Sequence, residues 1–173
     1  MHTESTSSAP GRNPKERHAL DAGGFILSVH KYLNSYIQVA DAKAGFVLAA
    51  SGAGTVLALP ASSDRLVALN WVAVVIFGLA IVISASILYP RHSKKQRGLV
   101  YWENIAHHPT IEKYADAFGS KSPEQLELEF ASQAWYLSKV LSRKYWLLRA
   151  AMVTFAVGIV FGLVALIANR LLV

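Results

Sequence analysis

Two long apolar runs constrain the fold of this chain more than any other feature. Leu66 to Tyr89 and Ala150 to Ala168 contain no charged residue, and a helix needs about 20 apolar residues to cross the hydrocarbon core of a bilayer. A third run, Ala44 to Leu59, is rich in Ala and Gly and is more weakly apolar. The sequence therefore predicts an all-α membrane protein with three transmembrane helices, at about residues 42–60, 66–89 and 147–169.

The distribution of basic residues predicts the orientation of these helices. Of the 17 Lys and Arg residues, ten lie between Arg91 and Arg149 and five precede the first apolar run, whereas only Arg65 and Arg170 fall on the other side. Cytoplasmic loops carry such an excess of Lys and Arg. We expect a multi-pass protein of the cell (inner) membrane with the N-terminus inside and the C-terminus outside. This bias accounts for the net charge of +6, so a nucleic acid polymer is not an expected partner.

The remaining residues predict a helical cytoplasmic part. We expect residues 1–18 to form a disordered tail and residues 19–173 to form one domain, whose cytoplasmic head comprises residues 19–41 and 90–146. A helix is expected from about Leu20. The tetrapeptide "SPEQ" indicates another helix start, with Ser122 as the N-cap, Pro123 in the first helical position and Gln125 completing a capping box. No helix-breaking residue follows, so this helix is expected to continue to Asn169.

Asp41 and Lys43 lie where the first apolar run begins, and each needs its own explanation. Residues two positions apart point about 200° from each other on a helix, so they cannot pair. The ordinary explanation of Lys43 is a side chain that extends to the bilayer surface. A carboxylate at this depth needs a cation from another helix, and Lys144 and Arg149 are the expected partners. Asp41, Lys43 and Arg149 are therefore the candidate charge latch.

Several segments together resemble the membrane effector domain of Pycsar antiphage systems. They are "ADAKAG" before the first apolar run, "YP" after the second, "GLVYWENIA" with "EKYADAF" in the head, and "LSKVLSRKYWLLRAAMVTFAVGI" entering the last run. The resemblance covers about Val29 to Ile167. Ala42 stands where the family often has Asn, and "YWEN" replaces a pair of Phe followed by Gly.

The resemblance implies an effector domain of antiphage defence. A neighbouring pyrimidine cyclase would make cUMP or cCMP during infection, and the effector would respond by damaging the inner membrane, giving abortive infection. The expected partners are thus the lipid bilayer and this cyclic nucleotide, which is a signal and not a cofactor; no cofactor is expected. The alternative is a structural or regulatory membrane subunit that scaffolds a partner through its cytoplasmic helices.

A cyclic nucleotide needs a cation for its phosphate, a flat surface for its base and polar groups for the base edges. "YWEN" and "SRKY" supply these groups, and the candidate ligand-sensing residues are Trp102, Glu103, Asn104, Arg143 and Lys144. The competing explanation is that aromatic and basic residues beside a span form an interfacial belt and anchors.

Small residues in the spans are candidates for helix packing. "GIVFG" places Gly158 and Gly162 four residues apart, a spacing that lets helices approach closely. This pair can pack within one chain or between copies. In the first run, Gly45, Ala49 and Ala53 are similarly spaced, as are Ala50 and Gly54, and here we expect packing within the chain. Three helices cannot enclose a pore, so membrane damage requires either a homo-oligomer, which we expect, or disruption of the lipid.

Catalytic and metal-binding motifs are not found in the sequence. It contains no P-loop, dinucleotide-binding glycine motif, zincin motif or nucleophile elbow and no Cys, so we expect no enzyme and no catalytic residues. His92, His107 and His108 lack the spacing of metal ligands. A transporter is disfavoured because the spans lack ionisable residues at mid-depth and Pro-broken helices.

Overall fold

The structure, a computed structural model, describes residues 14–60, 67–89, 99 and 101–171, with side chains described from residue 24 onward except those of Trp102 and Glu103. Within these ranges the chain is all-helical, as expected, and has no strand. The helices are α1 (Pro14–Leu57), α2 (Val67–Leu88), α3 (Trp102–Ala106), α4 (Ile111–Gly119) and α5 (Pro123–Leu171). The first part of the predicted tail and His92 lie outside the described residues.

Helix α5 begins where the local sequence signals predicted. The backbone N–H of Gln125 donates to the Ser122 hydroxyl at 3.3 Å, and the Ser122 N–H donates to the Gln125 amide oxygen at 3.1 Å. These reciprocal bonds form the capping box. The prediction of one unbroken helix from Pro123 is confirmed, because α5 runs to Leu171. Helix α1 is also continuous, but it begins at Pro14, earlier than the expected Leu20.

The expectation of three apolar spans is corrected to two. Among the described residues, only α2 and α5 are long and apolar enough to cross a membrane. Helix α1 does not qualify because it ends at Leu57 and because its last part combines Asp41 and Lys43 with many Ala, Gly and Ser residues. The N-in orientation relied on that third span and stays a prediction.

The chain divides into two compact units. The first, here called the head unit, comprises Met1–Lys31 and Gln96–Trp135, and the second, the bundle unit, comprises Tyr32–Lys95 and Tyr136–Val173. Helices α1 and α5 contribute residues to both units.

The bundle unit has a core of small and medium-sized side chains from three helices. Its buried members are Ala40, Ala44 and Val47 of α1, Ile87 of α2, and Leu148 and Ala151 of α5. Three alanines in this set let the helix backbones approach closely. Because lipid is as apolar as these side chains, close packing and not the hydrophobic effect holds the helices together inside a bilayer.

One aromatic ring fills the space beside two glycines of the bundle unit. A Cβ atom added at Gly54 of α1 would lie 2.7 Å from Phe77 of α2, and one added at Gly158 of α5 would lie 2.9 Å from the same ring. Real Cβ atoms do not approach other atoms this closely, so Phe77 can occupy its position only because both residues are Gly. At Gly162 the corresponding distance is 3.8 Å, an ordinary van der Waals contact.

The glycine contacts divide the predicted packing residues into two groups. Gly158 packs within the chain, as Gly54 does. Gly45, by contrast, has no atom within 4 Å of an added Cβ, and Ala49 and Ala53 are exposed. The Gly45–Ala49–Ala53 face was expected to pack within the chain, but in the structure it points outward. Packing between copies through Gly162 stays a prediction.

The head unit is held by a polar network around the backbone of Leu99. The Glu129 carboxylate of α5 accepts a hydrogen bond from the Leu99 N–H at 2.8 Å and forms an ion pair with the Lys121 ammonium at 3.0 Å. The Tyr114 hydroxyl of α4 donates to the Leu99 carbonyl oxygen at 3.1 Å. Burial by itself would raise the pKa of Glu129, but the Leu99 N–H and the Lys121 ammonium lower it below the usual range. The network therefore holds a charged carboxylate at neutral pH.

Candidate functional site

The candidate site lies in the bundle unit, where Asp41 of α1 forms an ion pair with Lys144 of α5. The Lys144 ammonium donates to Asp41 Oδ1 at 2.5 Å, and the side chains are 21% exposed for Lys144 and 35% for Asp41. Lys144 is one of the two cations that the sequence predicted as partners of Asp41. The pair joins α1 and α5, and both helices contribute to the buried core. On α1, the core residues Ala40 and Ala44 lie on either side of Asp41 in the sequence.

The other members of the predicted charge latch are separate from this pair. Lys43 and Arg149 are both exposed. Lys43 points away from Asp41 because the two residues are two positions apart on one helix. The position of Arg149, five residues after Lys144, gives it a different face of α5. A role of the Asp41–Lys144 pair as a latch stays a prediction.

A tyrosine cluster lies beside the ion pair. The rings of Tyr32 and Tyr36 on α1 are 4.5 Å apart, and the ring of Tyr36 is 6.3 Å from that of Tyr145 on α5. A hydrogen bond with the Tyr36 hydroxyl raises the pKa of Tyr32. The Tyr32 phenol is therefore neutral at physiological pH, because the ordinary pKa of Tyr is already near 10.

Tyr36 and Tyr145 form two walls of a groove of about 350 Å³ in the bundle unit. The other lining residues are Ser138, Leu141 and Ser142, which lie on the same side of α5 as Tyr145 because they are separated by three, four and seven residues. We call this feature the tyrosine groove. Its accessible surface is almost entirely apolar, and its lining residues carry no charge.

The predicted ligand-sensing residues fall in different units. Trp102, Glu103 and Asn104 belong to α3 in the head unit, and Arg143 and Lys144 belong to α5 in the bundle unit. The side chains of Trp102 and Glu103 lie outside the described ones. Asn104 is half-buried and Arg143 is exposed, whereas Lys144 is held by Asp41. A shared ligand role of these five residues stays a prediction.

The sequence interpretation did not single out the tyrosine groove. The spacing of Tyr32 and Tyr36, four residues apart, was a usable signal, because such residues are neighbours on a helix. Aromatic residues beside a span, such as Tyr145, were instead explained as members of an interfacial belt.

Two histidines of the head unit make specific contacts that the sequence did not indicate. His30 Nε2 donates to the Phe130 carbonyl oxygen at 3.0 Å, and the His108 ring packs edge-on against Tyr114.

Comparisons with known proteins place most of the chain in a single family. Residues 25–169 match the family model of the Pycsar effector protein domain, PycTM. The chain is also 29% identical over 142 residues to the Pycsar effector protein SaPycTM of Staphylococcus aureus, an alignment that covers 78% of this chain and 87% of the relative. No solved structure matches. Within the described residues, no group of three or more His, Cys, Asp or Glu side chains is placed to hold a metal ion.

Proposed function

This chain belongs to the Pycsar effector family, and on that premise we propose that it is an antiphage membrane effector that responds to a cyclic pyrimidine nucleotide. The nucleotide, cUMP or cCMP, is made by a partner cyclase. Its binding causes the effector to impair the integrity of the inner membrane, and the infected cell stops growing before phage matures. The effector acts by rearranging its helices and not by catalysis.

The proposed location in the cell membrane is supported by α2 and α5, the two helices apolar enough to cross a bilayer. The segment between their apolar parts carries ten Lys and Arg residues, whereas the far ends carry only Arg65 and Arg170. This asymmetry favours a cytoplasmic location for the segment. A nucleotide made in the cytoplasm would then reach α3, α4 and the first part of α5 without crossing the membrane.

The observation that carries the proposed gating is the ion pair between Asp41 and Lys144. Both side chains retain partial exposure, so water can compete for them when the helices move. An isolated charge costs less near the bilayer edge than at its centre, but the remaining cost favours the paired arrangement at rest. Ligand binding that displaces α1 from α5 would separate the charges and favour a second arrangement of the bundle.

Two buried hydroxyls make the resting bundle less stable than a fully apolar one. The threonine hydroxyls of the bundle are satisfied: Thr55 donates to the Ser51 carbonyl oxygen at 2.8 Å, and Thr154 donates to the Ala150 carbonyl oxygen at 2.9 Å. The two serine hydroxyls are different. The hydroxyls of Ser51 and Ser84 are fully buried and have no hydrogen-bond partner among the described residues. An unsatisfied buried polar group costs about 1–3 kcal/mol, and a rearrangement that brings these hydroxyls to a partner or to water would remove that cost.

A pore through the membrane requires several copies. The two apolar helices of one chain are too few to enclose a pore, so we propose that the effector acts as a homo-oligomer; the alternative is that it disrupts the lipid without a pore. The exposed face formed by Gly45, Ala49 and Ala53 lets another helix approach closely, because these residues are small and the face is open in the structure.

Co-expression with a pyrimidine cyclase tests the proposed function. We expect growth arrest and loss of membrane potential, followed with a potential-sensitive dye, only when active cyclase and effector are both present. The matched controls are a catalytically inactive cyclase and an active purine cyclase. Arrest without the pyrimidine nucleotide, or continued growth with both cUMP and cCMP present, would contradict the proposal. If growth continues and the effector instead retains a partner protein, a scaffolding role replaces the effector role.

A further inference from the structure

We propose that the tyrosine groove is the site at which the cyclic pyrimidine nucleotide binds, with its base against Tyr36 and Tyr145. The inference rests on the proposed function and adds the location of its ligand. It differs from the sequence-based candidates, because none of the lining residues of the groove was among them.

The aromatic walls of the groove suit a planar ring. The planes of Tyr36 and Tyr145 are tilted by 43° and their centroids are 6.3 Å apart, so the two rings do not stack face to face and leave ring surface for a ligand. Tyr32 packs against Tyr36 at 4.5 Å and limits its movement. Stacking of bases on aromatic side chains is a common mode of nucleotide recognition. A volume of about 350 Å³ lies within the range of small-molecule sites.

Two serines border the groove, whose accessible surface is almost entirely apolar. Ser138 and Ser142 lie one turn apart on α5 and both line the groove. A serine hydroxyl both donates and accepts hydrogen bonds, so the exposed Ser142 can meet the carbonyl edge of uracil or the amino edge of cytosine. The groove chemistry therefore fits the pyrimidine class without selecting one base.

Charge near the groove favours an anion. From Tyr136 to Arg149, α5 carries four cations and no carboxylate, and no acidic residue follows Glu129 in the chain. Lys139 lies three residues before Ser142 and is therefore its neighbour on the helix surface. A cyclic phosphate carries one negative charge, which this part of α5 attracts. Asp41, a carboxylate five residues after Tyr36 on α1, is already paired with Lys144.

The position of the groove explains how its occupant would act on the ion pair. Tyr145 is the next residue after Lys144, and Tyr36 lies five residues before Asp41 on α1. A ligand lodged between α1 and α5 would therefore change the spacing of the same two helices that the pair connects. The other anion that could enter is a lipid headgroup, because the apolar part of α5 begins soon after Tyr145.

Direct binding to the full chain in lipid nanodiscs tests the inference. The ligands are cUMP and cCMP, measured by isothermal titration calorimetry. Ser142→Leu fills the groove, and Tyr36→Ala removes one wall. The matched controls are Tyr36→Phe, which keeps the ring, and Ser132→Leu, which makes the same change at an exposed serine of α5 outside the groove. Helical content by circular dichroism shows that each variant is folded.

We expect Ser142→Leu and Tyr36→Ala to weaken binding about tenfold or more, and the two controls to stay within about threefold of wild type. Equal binding by all variants would overturn the groove assignment and leave the proposed function intact. If the wild type binds neither nucleotide and co-expression with the cyclase leaves growth unchanged, the proposed function itself fails. If the groove variants alter binding to anionic lipid nanodiscs but not to the nucleotides, the groove is a lipid site and the inference is wrong.

Discussion

Removing the charge of Asp41 is the most informative perturbation of this protein, because the structure identifies its partner as Lys144. An exposed ion pair contributes about 0–1 kcal/mol, whereas removing one member of a buried pair costs about 3–5 kcal/mol. The Asp41 side chain is 35% exposed and that of Lys144 is 21% exposed, so solvent screening reduces the buried value. We expect Asp41→Asn to lower the free energy of unfolding by about 1–2 kcal/mol.

The same energy predicts the effect on gating. A loss of about 1–2 kcal/mol changes a two-state equilibrium by about 5- to 30-fold. Shifting a bundle from 1% to 99% open requires about 10⁴-fold, or about 5.5 kcal/mol. Asp41→Asn should therefore lower the amount of cyclase needed for killing without making the effector toxic by itself. The measurement is the induction level of cyclase at which half of the cells lose membrane potential.

A charge swap separates the ion pair from a general effect of Asp41. Asp41→Arg should destabilise the protein more than Asp41→Asn, because it places a second cation beside Lys144. Combining Asp41→Arg with Lys144→Asp should restore part of the stability, measured by thermal unfolding in detergent, and part of the normal killing threshold.

Arg149 provides the matched control for this swap. It is a cation on the same helix as Lys144, but it is exposed and outside the pair. Asp41→Arg combined with Arg149→Asp should give no rescue. Equal rescue by both partners would show that only net charge matters at this depth, and no rescue by Lys144→Asp would show that the ion pair has no role as a latch.

The other three predictions concern packing, pH and topology. Gly158→Ala should lower the free energy of unfolding by about 1–3 kcal/mol because its Cβ would meet a phenyl ring at 2.9 Å, whereas Gly162→Ala should have little effect; similar melting temperatures for the two variants would contradict this. Glu129 has a folded pKa below the usual 4.5, so its contribution to stability is complete above about pH 4.5 and is lost as the pH falls through the folded value. Glu129→Gln should thus destabilise the protein at pH 7 and less so near pH 3, and an equal loss at both values would refute the argument. A topology reporter at Ser63 should be extracytoplasmic and one at Ser120 cytoplasmic, and the reverse labelling would contradict the charge bias.

Features that depend on neighbouring residues in the chain could be predicted from the sequence. The capping box of Ser122 and Gln125 and the unbroken helix after it follow from local hydrogen bonding and the absence of a helix breaker. The apolar character of α2 and α5 follows from composition, because transfer into lipid depends on the side chains of each helix alone. The need of Asp41 for a cation also follows, since a carboxylate near the bilayer edge is costly wherever its partner lies.

Only the tertiary structure decided which residues meet across helices. It selected Lys144 over Arg149, placed Phe77 against Gly158, and brought Tyr36 of α1 to Tyr145 of α5. Each of these pairs is far apart in sequence, and the spacing within one helix leaves the rotation of that helix against its neighbours undetermined. That rotation is set by the close packing of whole helix surfaces, which is why the sequence indicated the types of residue involved and the structure was needed to identify the partners.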